Sequence, residues 1–257
     1  MNTRTIHKTA AVILHSLDYG ESDRILTFYT ADFGKLTGIA KGARRSKKRF
    51  ANILELFSCI QIVFSRRGRD SLALIEEGSM LNHYPGIRED LEKTLVASYL
   101  LELTDKFTHE GKKNAELFQL ILSFLVLVEA GNNREDLLRF FEMRLLKHAG
   151  YEPALDRCMA CRKAVGDADV YHFVARDGGV RCMSCEPRYP GAIPVSLGTI
   201  RTLLLGKEME LGKLERLVLS NQVATESREL LAGFIGHILG KEIKSLHVLR
   251  GVREMGI

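Results

Sequence analysis

The sequence predicts an α+β multidomain protein: a small five-stranded β-barrel at the N-terminus, then an all-α helical domain that carries a four-cysteine module. Three observations predict it. Short β-type runs crowd the first 80 residues, the hydrophobic period changes to 3.6 past Pro85, and two Cys-x-x-Cys pairs lie between residues 158 and 185. The domains are accordingly drawn as residues 1–80 for the barrel, 81–150 with 191–257 for the helical domain, and 151–190 for a cysteine module inserted in it.

The strands come first. Residues 9–15 and 24–30 are apolar runs, and a turn at Asp32-Phe33-Gly34 leads to a third at 35–40. After a long connection come residues 56–64 and then, past the turn Arg66-Arg67-Gly68-Arg69, residues 72–78. Five short strands with an insertion between the third and fourth suit a closed barrel of the OB type, a fold that commonly binds single-stranded nucleic acid. Phe28, Tyr29, Phe33, Phe50, Phe57 and Phe64 could serve as stacking platforms for bases. The plainer reading is that most of them fill the core, since alternate positions of a strand must.

Helices follow. Leu91, Leu95, Val96, Tyr99, Leu100, Leu103 and Phe107 form one stripe over residues 87–109, closed by Gly111. Asn114 caps a second helix running to Gly131. A third, from near Asn133 to Gly150, has acids early (Glu135, Asp136) and cations late (Arg144, Lys147), as the helix dipole favours. Short connections make these an antiparallel bundle. It resumes beyond the cysteines, where Ser196 caps a helix to about residue 205, a short apolar stretch covers 213–219, and 225–241 is long and amphipathic.

Cys158-Met159-Ala160-Cys161 and Cys182-Met183-Ser184-Cys185 are 20 residues apart. Two thiolates at i and i+3 grip one side of a tetrahedral ion, and a hairpin, strands at 170–174 and 178–181, returns the second pair. Cys158, Cys161, Cys182 and Cys185 are thus expected to hold one structural Zn2+, because four protein thiolates leave no open position for a catalytic water. The competing readings are a redox Cys-x-x-Cys, which needs one pair in another context, and an iron–sulfur cluster, whose spacings differ. His172 reads as a hairpin surface residue, and the solitary Cys59 as a small buried hydrophobe.

Charge is unevenly spread. Residues 1–80 hold 13 Lys or Arg against 8 Asp or Glu, while residues 81–257 hold 24 of each, so the +5 of the chain lies in its first third. Six cations fall within residues 41–49, with too little apolar content for a packed element, so the segment reads as an exposed basic loop. A solvated connection is the bland reading. An electropositive module on a neutral remainder instead points to a polyanion, and nucleic acid is the common one. The candidate DNA-binding residues are Lys35, Lys41, Arg44, Arg45, Lys47, Lys48 and Arg49, with Arg66, Arg67 and Arg69 from the neighbouring turn.

No apolar run reaches the roughly 18 to 20 residues that cross a bilayer, so no membrane partner is expected. The first residues show no signal-peptide pattern, which places the chain in the cytoplasm, associated with the nucleoid if it binds DNA. No P-loop, dinucleotide fingerprint or His-Glu-x-x-His is present, and the eight histidines are scattered, so no catalytic residue is assigned and an enzyme is not expected.

Tyr19-Gly20-Glu21-Ser22-Asp23-Arg24-Ile25-Leu26, Phe33-Gly34-Lys35-Leu36, Ala40-Lys41-Gly42-Ala43-Arg44-Arg45-Ser46-Lys47, Arg139-Phe140-Phe141-Glu142 with Leu145-Leu146, and Gly150-Tyr151-Glu152-Pro153 occur in that order. Together they closely resemble the RecO family of bacterial recombination mediators and DNA repair proteins, over nearly the whole chain. The resemblance implies an OB domain that binds single- and double-stranded DNA and anneals complementary strands. It implies cooperation with RecR to load RecA onto strands coated by single-strand-binding protein (SSB). It also implies a helical domain that docks the acidic C-terminal tail of SSB in an apolar pocket with a basic rim. Arg139 is then the candidate cation for that tail, its alternative being an ordinary helix-surface arginine. Some members of the family lack the cysteines, which implies a stabilising metal. The rival function is a zinc-containing, sequence-specific DNA-binding regulator, which base discrimination would reveal.

Overall fold

The computed structural model describes residues 5–46, 48–50, 52–68, 71–131, 135–166, 170–185, 191–214 and 216–255. The chain divides into two compact units, Met1–Gly131 with Val248–Ile257, and Asn132–His247.

In the first unit, strands β1 (Thr5–Tyr19), β2 (Asp23–Thr30), β3 (Gly34–Ala40), β4 (Cys59–Arg66) and β5 (Ala73–Asn82) pair in the order β1-β2-β3-β5-β4. The pairings return to their start, because β4 also pairs with β1. What closes the sheet is the length of β1. Its first half, Thr5 to Val12, pairs with β4, and its second half, from Ala11, pairs with β2. Between Ile13 and His15 the register shifts, and such an irregularity bends a strand. Residues 16–19 were not expected to be strand, since Ser16 and Asp18 interrupt the apolar run that marks residues 9–15.

Inward-facing Ala11, Ile13, Leu26, Phe28, Leu36, Ile60, Ile62, Phe64 and Ile75 fill the interior. The short helix α1 (Pro85–Arg88) leads to α2 (Leu91–Phe107), which Asp90 caps by accepting from the Lys93 N–H, and α3 (Ala115–Glu129), which Asn114 caps through Leu117. Gly34 sits at φ 66°, where a Cβ would lie 2.1 Å from the Lys112 carbonyl oxygen, so this turn admits the connection ahead of α3 only as glycine.

The second unit contains α4 (Glu135–Ala149), the strands β6 (Val170–Val174), β7 (Gly179–Arg181) and β8 (Ile193–Ser196), and the helices α5 (Leu197–Glu208), α6 (Leu211–Leu214) and α7 (Asn221–Leu239). The three helices expected to form one bundle thus divide between the units. The expected hairpin is β6 and β7, and β8 joins its other edge with Tyr171 opposite Val195. Helix α4 packs on α5 where Gly206 leaves room for the Phe140 ring; a Cβ there would meet it at 2.0 Å. A final helix, α8 (Lys244–Glu254), was not anticipated; from Val248 onward it belongs to the first unit, where its Arg253 pairs with Glu92 of α2 at 2.9 Å.

Candidate nucleic-acid interface and metal centre

The basic segment is fastened at both ends. Past Ala40 the chain turns on Gly42 (φ 68°), whose N–H donates to the Asp23 carboxylate at 2.8 Å, and the Arg44 N–H donates to the Ser22 carbonyl at 2.9 Å. One turn of 3₁₀ helix, Ala43–Arg45, follows. Ala43 and Phe50 both enter the core, so the few apolar residues of this stretch pin it to the sheet and turn the cations outward. The expectation of an unpacked loop is corrected to that extent.

Lys41, Arg44, Arg45, Lys48, Arg49 and Arg67 are exposed, and Arg66 is half-buried; Lys47 and Arg69 lie outside the described residues. The parallel pairing of β3 with β5 covers only Gly38 and Ile39 against Ala73 and Leu74. Because the two strands run the same way, the basic segment leaves one end of this pairing and the Arg66-Arg67 turn precedes its other end, so the pairing does not bring the two cationic stretches together.

Several of these cations already have partners. Lys35 Nζ lies 2.7 Å from the Asp105 carboxylate and donates to the Asp105 carbonyl at 2.7 Å, so it ties β3 to the end of α2. Burial alone would raise the Asp105 carboxyl, but Lys35, then Lys106, outweigh it and hold the group below the usual range. Arg44 Nε is 3.4 Å from Asp18, near the end of β1, and Arg45 is 3.3 Å from Glu21, on the turn between β1 and β2. Arg49 donates to the Lys41 carbonyl at 3.0 Å, its guanidinium 5.1 Å from the Phe50 ring centroid. Exposed pairs such as Arg45 with Glu21 contribute only about 0 to 1 kcal/mol, so phosphates can displace the carboxylates.

The aromatics are less available than the cations. Phe28, Tyr29, Phe50, Phe57 and Phe64 are all buried, and Phe33 packs between His7 and Phe64 at centroid distances of 4.9 and 5.2 Å. The plainer of the two sequence readings holds for the five buried rings, and Phe33 is half-buried against the same core. Sequence reasoning also missed Arg24, which reaches Asp18 at 3.0 Å and Glu55 at 2.9 Å.

In the second unit four thiols converge. The sulfur atoms of Cys158, Cys161, Cys182 and Cys185 all lie within 4.8 Å of one another, with Cys161 Sγ and Cys182 Sγ 3.8 Å apart. A tetrahedral ion with bonds of about 2.3 Å needs sulfur atoms about 3.8 Å apart, so the donor set fits one metal ion. The backbone holds each pair. The Cys158 N–H donates to the Lys163 carbonyl, the Met159 N–H reaches Val180 on β7 at 2.8 Å, and Arg162 takes φ 64° to turn the first knuckle back. Burial alone raises the Cys158 thiol, but N–H donors from Cys161, Cys182 and Ala160 bring it down to about 6. Hydrogen bonds with the Cys161 and Cys182 side chains push Cys185 up to about 12. Cys59 is buried in the first unit, and burial lifts its thiol to about 11.

Arg139 is not a surface arginine. It is 1% exposed on the inner side of α4 and lies 2.7 Å from Glu142, itself 0% exposed. A cleft of about 730 Å³ beside α5 and α6 has Leu204, Leu205 and Met209 in its wall, with Arg201, Lys213 and two glutamates around it.

Comparison with known proteins covers both units. Residues 1–84 match the family model described as Recombination protein O N terminal, and residues 88–247 that of Recombination protein O C terminal. The chain is 52% identical to the DNA repair protein RecO of Syntrophus aciditrophicus (strain SB), across 100% of both chains. It is 34% identical to that of Anaeromyxobacter sp. (strain K), over 94% of this chain and 95% of the relative. For Bacillus pumilus (strain SAFR-032) the figures are 31%, 96% and 95%.

Proposed function

The chain belongs to the RecO family of DNA repair proteins, and from that premise we propose that it is a recombination mediator that binds single- and double-stranded DNA without reading sequence and anneals complementary strands. The observation that carries this is the exposed set Lys41, Arg44, Arg45, Lys48 and Arg49, turned outward on one segment whose Ala43 and Phe50 are in the core of the closed sheet. Lys35 is left out of the set because Asp105 already holds it. Cations meeting phosphates lower the repulsion between two strands, which favours annealing without any bond being broken. If roughly five contacts form, affinity falls as about the fourth to fifth power of salt concentration.

In the same reading the chain acts with RecR to load RecA onto strands coated by SSB. The acidic tail of SSB would dock in the cleft beside α5, its apolar side chains on Leu204, Leu205 and Met209 and its carboxylates on Arg201. Arg139, buried against Glu142, is in no position to receive them without opening α4. The cysteine cluster holds one Zn2+, which fixes the two knuckles to β6 and β7.

The test is annealing of complementary oligonucleotides coated with SSB, comparing the wild-type chain with one in which Arg44, Arg45, Lys47 and Lys48 are glutamate. Loss of annealing is expected. Undiminished annealing would sink the reading, and a preference of about tenfold for one duplex over scrambled competitors would move it to sequence-specific regulation.

A further inference from the structure

The four thiols of the cysteine cluster are not equally reachable. Cys158 is 1% exposed, and its sulfur accepts the Cys182 N–H at 3.4 Å, so it forms the floor of the cluster. Cys182 and Cys185 are half-buried, and Cys161 alone of the four is exposed. Its sulfur stands 3.8 Å from that of Cys182, on the other knuckle. A bond between two sulfur atoms is about 2.05 Å long, so this pair has less than about 2 Å to close. A thiol that binds a metal is deprotonated, and thiolate character together with exposure is what makes a cysteine react with peroxides. A second thiol within reach then decides the fate of the first product.

We propose that Cys161 is an oxidation site for hydrogen peroxide and that Cys182 resolves it into a disulfide, which takes over from the metal ion in holding the two knuckles together. The inference rests on the metal reading above. In the first step the Cys161 thiolate attacks one peroxide oxygen: an S–O bond forms, the O–O bond breaks and hydroxide leaves. In the second the Cys182 thiolate attacks the Cys161 sulfur: the S–S bond forms, the S–O bond breaks and a second hydroxide leaves. Two thiolates lose two electrons, the peroxide gains them, and two protons from solvent turn the hydroxides into water. Cys158 and Cys185 remain, and two thiolates do not fill a tetrahedral shell, so the ion is released. The bridge joins positions 161 and 182, so it closes the loop that contains β6 and β7, as the ion did. A disulfide within either knuckle would release the ion too, but would leave the knuckles free to part.

The test treats the full wild-type chain, purified with its metal, with hydrogen peroxide; a colorimetric chelator follows released metal and mass spectrometry of tryptic peptides follows the disulfides. Cleavage after Arg157, Arg162, Arg181 and Arg188 puts Cys158 with Cys161 on one peptide and Cys182 with Cys185 on another, so only a bridge across the knuckles joins the two. Joined peptides, with Cys161 bonded to Cys182 on fragmentation, are expected to appear at the rate at which metal is freed. A dithiol with added metal should reverse both changes, and the buried Cys59 should stay unmodified. The melting midpoint of the second unit is expected to fall by less than about half as much as on chelation, because the bridge keeps the loop closed. Disulfides confined to single knuckles, sulfenic acid trapped first on Cys158, or a midpoint that falls as far as on chelation would each overturn the proposal. A chain that carries no metal before peroxide is added overturns the metal reading and this proposal with it. A loaded chain that gives up its ion with no bridge between Cys161 and Cys182 overturns this proposal alone.

Discussion

The cysteine cluster and the basic segment use the chain in opposite ways. Four sulfur atoms from two knuckles converge to within 4.8 Å, the first knuckle tied to β7 by a backbone hydrogen bond and the second following that strand directly in the chain. The cations diverge instead, carried outward by a stretch whose Ala43 and Phe50 are in the core. A convergent site depends on every member, because three thiolates leave an ion incompletely held. A divergent surface degrades by increments as charges are removed. That difference separates stability from DNA affinity, and four experiments can break or sharpen it.

The largest effect is expected at the cysteines. Chelation of the metal, or Cys158→Ser, removes binding energy that exists only in the folded state and is expected to lower the melting midpoint of the second unit by about 10 °C or more. Circular dichroism and a metal count per chain check it. DNA affinity should stay within about threefold; a collapse of both would break the contrast. Next comes Arg44→Glu/Arg45→Glu/Lys48→Glu, expected to weaken DNA binding about 100-fold at low salt and to flatten the salt dependence by about three units of slope. Fluorescence anisotropy across a salt series reads this, and the melting midpoint should not move.

How much of this was legible in the sequence follows from the same contrast. Cys-x-x-Cys spacing fixes geometry locally, so the ligand set and the hairpin between its halves could be read directly, as could the caps at Asn114 and Ser196. Partners of charges could not. Nothing in the composition of residues 41–49 says that Asp18 and Glu21, over 20 positions earlier, face Arg44 and Arg45, or that Asp105 holds Lys35. Arg139 sits in a helix whose period alone leaves both faces open, and only packing shows that it is inside. The strand character of residues 16–19 was missed because Ser16 and Asp18 interrupt the apolar run that marks β1, although the turn at Gly20 was a signal that the strand runs on to a hairpin end.

Lys35 tests whether a cation near the surface can belong to the structural side of the contrast. Lys35→Met is expected to cost about 1 kcal/mol of stability, read by denaturant titration, and to leave DNA affinity and its salt slope unchanged. The acid limb adds a second readout. A carboxyl held low in the folded state contributes stability that is present above its unfolded value of about 3.9 and is lost as pH falls through the folded value. Asp105 is such a group through Lys35, so wild-type stability should drop below about pH 4 more steeply than that of the variant.

The smallest effect concerns the acids that face the arginines. Asp18, near the end of β1, and Glu21, on the turn that follows, stand 3.4 and 3.3 Å from Arg44 and Arg45, where each carboxylate both occupies a guanidinium and repels an approaching phosphate. Exposed pairs are weak, so Asp18→Asn/Glu21→Gln is expected to tighten DNA binding only about threefold at low salt. Because salt also loosens the internal pairs, their removal should steepen the salt dependence slightly, the reverse of what loss of a DNA contact does. Weaker binding by this variant would mean that the acids position the arginines more than they compete for them, and would make the basic segment a built site like the cysteine cluster.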